Sequence, residues 1–168
     1  LDSRVDAPAP EKSIFDGIDV TVPGLAKLAG LPDAALRTEL QAMDAAAKKA
    51  LADYNPLNPA AIVPTLADGL RATRTARAAA QALNASADAK AEADFLLAFK
   101  ESEFVDALSR AAGVVVDPLA DEETVVQGTS VGVAVRTFVP PGSTVSIANA
   151  VVNAPRGWTV TAAAPPTP

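Results

Sequence analysis

The sequence predicts an α+β chain, an Ala-rich three-helix segment followed by a partial antiparallel, immunoglobulin-like β-sandwich. Three observations predict it. Apolar residues recur at steps of three and four over 33–112. The period changes to two where Val131, Val133 and Val135 alternate with Ser130, Gly132, Ala134 and Arg136. Gly and Pro cluster before and among these stretches, where they punctuate elements. The resulting division is an extended lead-in over 1–32, a helical bundle or spacer over 33–113, a partial sandwich over 114–164 and a linker-like tail over 165–168.

The lead-in carries Pro8, Pro10, Gly17, Pro23, Gly24, Gly30 and Pro32, so it reads as extended chain. One short helix over 25–29 fits before Gly30 closes it. Asp33 is placed to cap a first long helix with Leu36, Leu40, Met43, Ala47, Leu51 and Tyr54 on one stripe. Asn55-Pro56 ends that helix, because the residue before a proline is pushed out of the helical region.

Asn58-Pro59 restarts the chain as an Asn cap with Pro at the first helical position. Ile62, Leu66, Leu70, Thr73, Ala76, Ala80 and Leu83 form the second stripe, and Pro64 kinks or delays the helix start. A third helix runs from near Ser86 to about Ala112, with Gly113 in the terminal position. Its apolar residues Phe95, Leu96, Leu97, Phe99, Phe104, Val105 and Leu108 cover more than one face. It is therefore expected to touch both other helices or the following strands, the latter through Phe95, Leu96 or Leu97. The predicted helical core is Leu40, Leu51, Leu66, Leu70, Phe99, Phe104 and Leu108.

After Val114 the chain reads as short strands between turns. Val139-Pro140-Pro141-Gly142 is a turn, 144–152 reads as a strand, and Pro155-Arg156-Gly157 leads into a further strand over 158–161. A complete immunoglobulin-like sandwich takes about 100 residues. At least three strands are expected here, forming an incomplete domain that depends on other surface for stability.

Composition removes several function classes. The chain has 168 residues and is 49% hydrophobic but only 4% aromatic, so its apolar content is mostly Ala and Val. That disfavours a ligand cavity with aromatic walls. A net charge of -6 and a pI near 4.6 oppose binding to nucleic acid and to anionic membrane surfaces. No apolar run approaches the roughly 20 residues that span a bilayer.

With no Cys there is no disulfide, thiol nucleophile or thiolate metal site. With no His the commonest general base and transition-metal ligand is missing. No catalytic, cofactor-binding or metal-ligating residue is therefore assigned, and no cofactor is expected. Leu1-Asp2-Ser3-Arg4 starts polar and carries no targeting pattern, which reads as the interior of a longer polypeptide.

Four groups stand out as candidate sites. Arg71, Arg74 and Arg77 lie three apart on the second helix. They would form an anion clamp or, the expected role, a solvated face pairing with acidic residues of a neighbouring helix. Asp121, Glu122 and Glu123 lack the alternating oxygen ligands of a calcium loop and read as a charged linker between domains. Asp16 and Asp19 flank Gly17 as a carboxylate pair, with loop capping the expected role over acid-base work. Trp158 offers a sugar-stacking platform, but a core anchor after a turn is the expected reading. Gln127-Gly128-Thr129 is read as a tight turn with no chemistry.

Three stretches taken in order carry a resemblance. They are Ser13-Ile14-Phe15-Asp16-Gly17-Ile18-Asp19 with Pro23-Gly24-Leu25, then Asn58-Pro59 through Gly69-Leu70-Arg71-Ala72, then Val125-Val126-Gln127-Gly128-Thr129. Together they resemble the region downstream of the catalytic domain in large bacterial PIG-L-like deacetylases, over most of the chain. That family implies a zinc-dependent hydrolase acting on N-acetylglucosamine-type substrates, with its His and Asp metal site in an upstream α/β domain. No position here matches those motifs. The stretches at Gly128 and Gly157-Trp158 also look like a sandwich domain appended to carbohydrate-active enzymes.

The resemblance thus implies an extracytoplasmic, non-catalytic accessory and spacer region whose partner is the catalytic domain of the same polypeptide. Carbohydrate is a further ligand class that no residue pattern supports. The alternative from a different class is the stalk and recognition head of a cell-surface adhesion protein.

Overall fold

The computed structural model describes residues 13–17, 19–32 and 34–163. Asp33, Pro8, Pro10, Ile18 and the tail over 165–168 lie outside the described residues, as do the roles assigned to them. The chain divides into two compact units, Leu1–Leu108 and Ser109–Pro168.

The first unit is helical. A 3-10 turn, Val22–Gly24, runs into α1, Leu25–Leu28. Gly30, at φ 74°, closes α1: its N–H donates to Lys27 O, and the Leu31 N–H donates to Ala26 O. That pair of bonds satisfies carbonyls a helix end otherwise leaves open, and it needs a residue free of the Cβ penalty at positive φ.

Helix α2 spans Arg37–Asp53. It is entered through Leu36, a left-handed residue at φ 58°, whose side chain is buried. The left-handed conformation costs about 1–2 kcal/mol, while burying a Leu side chain stabilises by about 1.5–3 kcal/mol. Burial outweighs strain.

Asn55 and Pro56 end α2 as expected, with Asn55 Oδ1 accepting from the Leu57 N–H at 2.9 Å. Pro59–Ile62 then forms a 3-10 turn with Pro at its start, and α3 follows over Val63–Ala82. Pro64 falls in the first turn of α3, where its missing N–H costs nothing, so it delays the helix rather than breaking it. Asn58 occupies the cap position but makes no side-chain capping bond.

Helix α4 spans Ala87–Ala112. Ser86 caps it, its Oγ accepting from the Ala89 N–H at 3.2 Å. Gly113, at φ 67°, ends it with bonds from Gly113 N to Arg110 O and from Val114 N to Ser109 O. Helices α3 and α4 run antiparallel: Gly69 meets Phe104 at one end, and Gln81 exchanges bonds with Lys90 near the other.

The core of this unit is small-residue packing around a few large side chains. Leu40, Met43, Leu97 and Thr73 are its largest fully buried members. Thr73 donates from Oγ1 to the Gly69 carbonyl at 2.9 Å, so its burial leaves no hydroxyl unmatched. At Gly69 the backbone sits against its neighbours: a Cβ there would lie 2.6 Å from Phe104 Cζ and 3.1 Å from Ala46 Cβ. Glycine here is a packing requirement.

Of the predicted core, Leu40, Leu66 and Phe104 are buried and Leu70 and Leu108 half-buried. Leu51 and Phe99 are not: they are 80% and 60% exposed. In the later turns of α2 the buried positions are Ala46 and Ala50, one residue before the Ala47 and Leu51 of the expected stripe. At Ala46 a small side chain is required, because the Gly69 backbone of α3 lies against its Cβ. On α4 the buried positions are Ala93, Leu97, Phe104, Ala111 and Ala112, a narrow stripe, and Phe95 is left 68% exposed.

The second unit holds an antiparallel pair, β1 over Val115–Ala120 and β2 over Val133–Phe138, in the register Val115↔Phe138 to Ala120↔Val133. With the helices this makes the chain α+β. The expected three or more strands are corrected to two among the described residues, because neither 144–152 nor 158–161 joins the sheet. In the first of these, Ala148-Asn149-Ala150 breaks a run of strand-forming residues. No residue from Gly113 to Ala163 is buried.

Candidate functional site

The densest polar cluster among the described residues lies between α3 and α4. Arg74 and Arg77 project from α3 one turn apart, and Asp94 and Glu101 from α4 two turns apart, so the antiparallel helices bring all four together. Arg74 Nε donates to Glu101 Oε1 at 2.7 Å, and Arg77 Nη1 donates to Glu101 Oε2 at 2.6 Å. Arg77 also grips Asp94 Oδ1 through Nη2 at 2.8 Å and Nε at 3.0 Å. Ala78 and Gln81 complete a shallow open hollow around the cluster.

The electrostatics follow from the pairing. Hydrogen bonds from Arg74 and then Arg77 hold the Glu101 carboxyl below the usual glutamate range. Hydrogen bonds to Glu101 and then Asp94 raise the Arg77 guanidinium above its ordinary value. Both guanidinium groups are therefore committed to carboxylates, and Arg71 pairs with Asp68 of its own helix at 2.6 Å. Arg74 and Arg77 form the solvated face pairing with a neighbouring helix and tie α3 to α4, whereas Arg71 pairs within α3.

Asp19, Asp16 and Asp121 serve turns. Asp19 accepts from the Thr21 hydroxyl at 2.6 Å and the Thr21 N–H at 2.9 Å, bonds that lower its carboxyl below the usual range. This is the loop-capping role expected of it. The nearby Asp16 donates its N–H to Ser13 O within the turn around Gly17. Asp121, Glu122 and Glu123 do not lie between domains: they follow β1 within the second unit, where Asp121 accepts from the Gly132 N–H at 2.9 Å and closes the open end of the β1–β2 pair. Val126 O accepts from the Thr129 N–H at 3.1 Å, the tight turn read at Gln127-Gly128-Thr129.

Trp158 departs from expectation. It follows a turn, with its N–H donating to Pro155 O and Gly157 at φ 92°, but its side chain is 54% exposed. A core anchor needs a second layer to sink into, and β1–β2 has none among the described residues.

No group of three or more His, Cys, Asp or Glu side chains that could hold a metal ion occurs among the described residues. No described helix is long and apolar enough to cross a membrane. What the chain presents instead is apolar strand surface. The register puts Val116, Pro118, Ala120, Val133, Val135 and Thr137 on one face of the pair, and Val116 and Val133 are 59% and 49% exposed. The opposite face carries Asp117 directly across from Arg136. Sequence reading found β2 through its alternation but missed β1, where Val114-Val115-Val116 and Pro118 hide the period.

Comparison with family models, curated proteins and solved structures finds no match to this chain.

Proposed function

We propose that this chain is a non-catalytic accessory and spacer region, in which the helical unit is a stiff spacer and the strand unit packs onto another domain of the same polypeptide. One observation carries the reading: 113–163 contains valine-rich strands yet buries no side chain. Contiguous exposed apolar surface of this kind marks a contact site in natural proteins. The polar clusters, by contrast, are consumed in pairing and turn closure.

The nature of the larger protein rests on the ordered resemblance of 13–25, 58–72 and 125–129 to the region downstream of a PIG-L-like deacetylase domain. The polypeptide encoded upstream of Leu1 then contains an α/β domain with His and Asp zinc ligands. Purified by itself, the 168-residue chain releases no acetate from N-acetylglucosamine substrates and takes up no zinc with useful affinity. Stoichiometric, tight zinc binding in a calorimeter would overturn the reading. So would an upstream sequence of signal peptide and further repeats, which belongs to the stalk of an adhesion protein.

The exposure of Trp158 favours one second reading, a recognition head that stacks a sugar ring on the indole. Titrating the chain with N-acetylglucosamine oligomers while following its single Trp tests it. An unchanged emission spectrum removes it.

A further inference from the structure

The two edges of the β1–β2 sheet are not equivalent. The Asp121 N–H donates to Gly132 O at 2.9 Å, the next rung beyond the Ala120↔Val133 pair. In an antiparallel ladder, inward and outward backbone groups alternate. Residues 115, 117 and 119 of β1 and 134, 136 and 138 of β2 therefore turn their N–H and C=O inward. Val116, Pro118 and Ala120 turn theirs out on one edge, and Val133, Val135 and Thr137 on the other. Pro118 has no N–H, so the β1 edge is interrupted at its centre. The β2 edge offers an unbroken row of donors and acceptors, and every residue of β2 is exposed. A natural sheet rarely leaves such an edge open.

The β2 edge also fits itself. Placing two β2 strands antiparallel about a two-fold axis at Val135 pairs Val133 with Thr137 of the second copy, and Val135 with its own equivalent. On the opposite face Arg136 falls across from Ala134, so no like charges meet directly, and Asp117 already sits across from Arg136 within each copy. The valine faces of the two hairpins become one continuous surface. We infer that β2 pairs edge to edge with β2 of a second copy of this chain, giving a four-stranded sheet across a two-fold dimer. Pro118 on each outer edge stops further growth, so the assembly closes at two copies instead of extending into a fibre. This pairing stands independently of the accessory reading above.

The test uses the full chain in light scattering and sedimentation across the micromolar range. The expected mass is twice the 17.0 kDa of one chain. Val135→Lys and Val135→Glu each place like charges opposite one another at the axis, and each should weaken self-association at least about tenfold. Mixing the two variants should restore the dimer as a heterodimer, which a fold merely damaged at β2 would not do. Val135→Thr, a strand-forming residue with no charge, should dimerise like the parent. A single-chain mass throughout the range overturns the proposal and leaves the edge to a strand of some other protein. Charged variants that remain as dimeric as the parent, or a mixture that stays monomeric, overturn it too.

Discussion

The helical unit and the strand region over 113–163 draw on the same pool of Ala, Val and Leu, yet among the described residues only the helical one buries side chains. In the first, apolar positions repeat at the helical period on α2, α3 and α4, and the stripes bury against one another. In the second, the alternation at Val133 and Val135 builds a strand, but among the described residues the two-stranded sheet has no second layer to cover its face. Two strands by themselves are marginal in water. Hydrophobic content thus decides what must be covered, and the number of layers decides what is.

The largest expected effect separates the units outright. Expressed alone, residues 1–108 should give a helical spectrum and one cooperative thermal transition. Residues 114–168 alone, as a dilute monomer, should give poorly dispersed amide resonances and no transition. A well-dispersed, cooperatively melting 114–168 fragment would show that these strands close a core unaided and would break the comparison.

Within the helical unit the contrast reappears between α2 positions that look alike in sequence. Leu40→Ala removes a side chain with no exposed surface and should cost about 2–5 kcal/mol. Leu51→Ala, on the same helix but 80% exposed, should stay within about 0.5 kcal/mol of the parent. Equal costs in chemical denaturation would mean that the buried face of α2 is misassigned.

That pair also shows how much was legible in the sequence. Most helix boundaries were, because their signals are local: Asn55-Pro56, Pro59, Ser86, Gly30 and Gly113 each act on the backbone within a turn. The start of α2 was not, since a turn over 34–36 with Leu36 left-handed delays the helix to Arg37 instead of starting it directly after Asp33. The salt-bridged role of Arg74 and Arg77 was legible as well, since a charged face needs only an acidic neighbour. The end of the α2 stripe was not. Choosing Ala47 and Leu51 assumes that the larger apolar residue faces inward, whereas the buried stripe runs through Ala46 and Ala50, and at Ala46 it is fixed by the Gly69 backbone, a contact distant in sequence. The fate of Trp158 and of 144–152 was illegible for a similar reason: alternation says which side is apolar, not whether anything packs on it.

Gly69 carries the next prediction. Replacing an interior helix glycine by alanine normally stabilises by about 1 kcal/mol. Here the added Cβ meets the buried Phe104 ring, and overpacking of that kind costs about 1–3 kcal/mol. Gly69→Ala should therefore destabilise, and Gly69→Ala with Phe104→Leu should recover part of the loss. A single variant that melts higher than the parent would show that α3 and α4 have slack at this crossing.

The smallest effect lies at the arginine cluster and has a definite sign. Glu101 has its folded-state carboxyl lowered by Arg74 and Arg77, so the folded state favours the ionised form. Its contribution is present in full above the ordinary glutamate value of about 4.3 and is lost as pH falls through the lowered folded value. Arg77 is shifted upward from a value already above the working range, so it adds no pH dependence there. Because Arg74 and Asp94 remain substantially solvated, with side chains 61% and 41% exposed, screening keeps the total small, on the order of 1 kcal/mol or less. Glu101→Gln should thus be slightly less stable than the parent at neutral pH and indistinguishable from it in strong acid. High salt should narrow the neutral-pH gap, since the cluster is open to solvent. Denaturant titrations of both proteins from neutral pH into acid measure the gap directly. A gap that persists unchanged at the acid end would mean that Glu101 holds α3 to α4 through packing of its side chain and not through its charge.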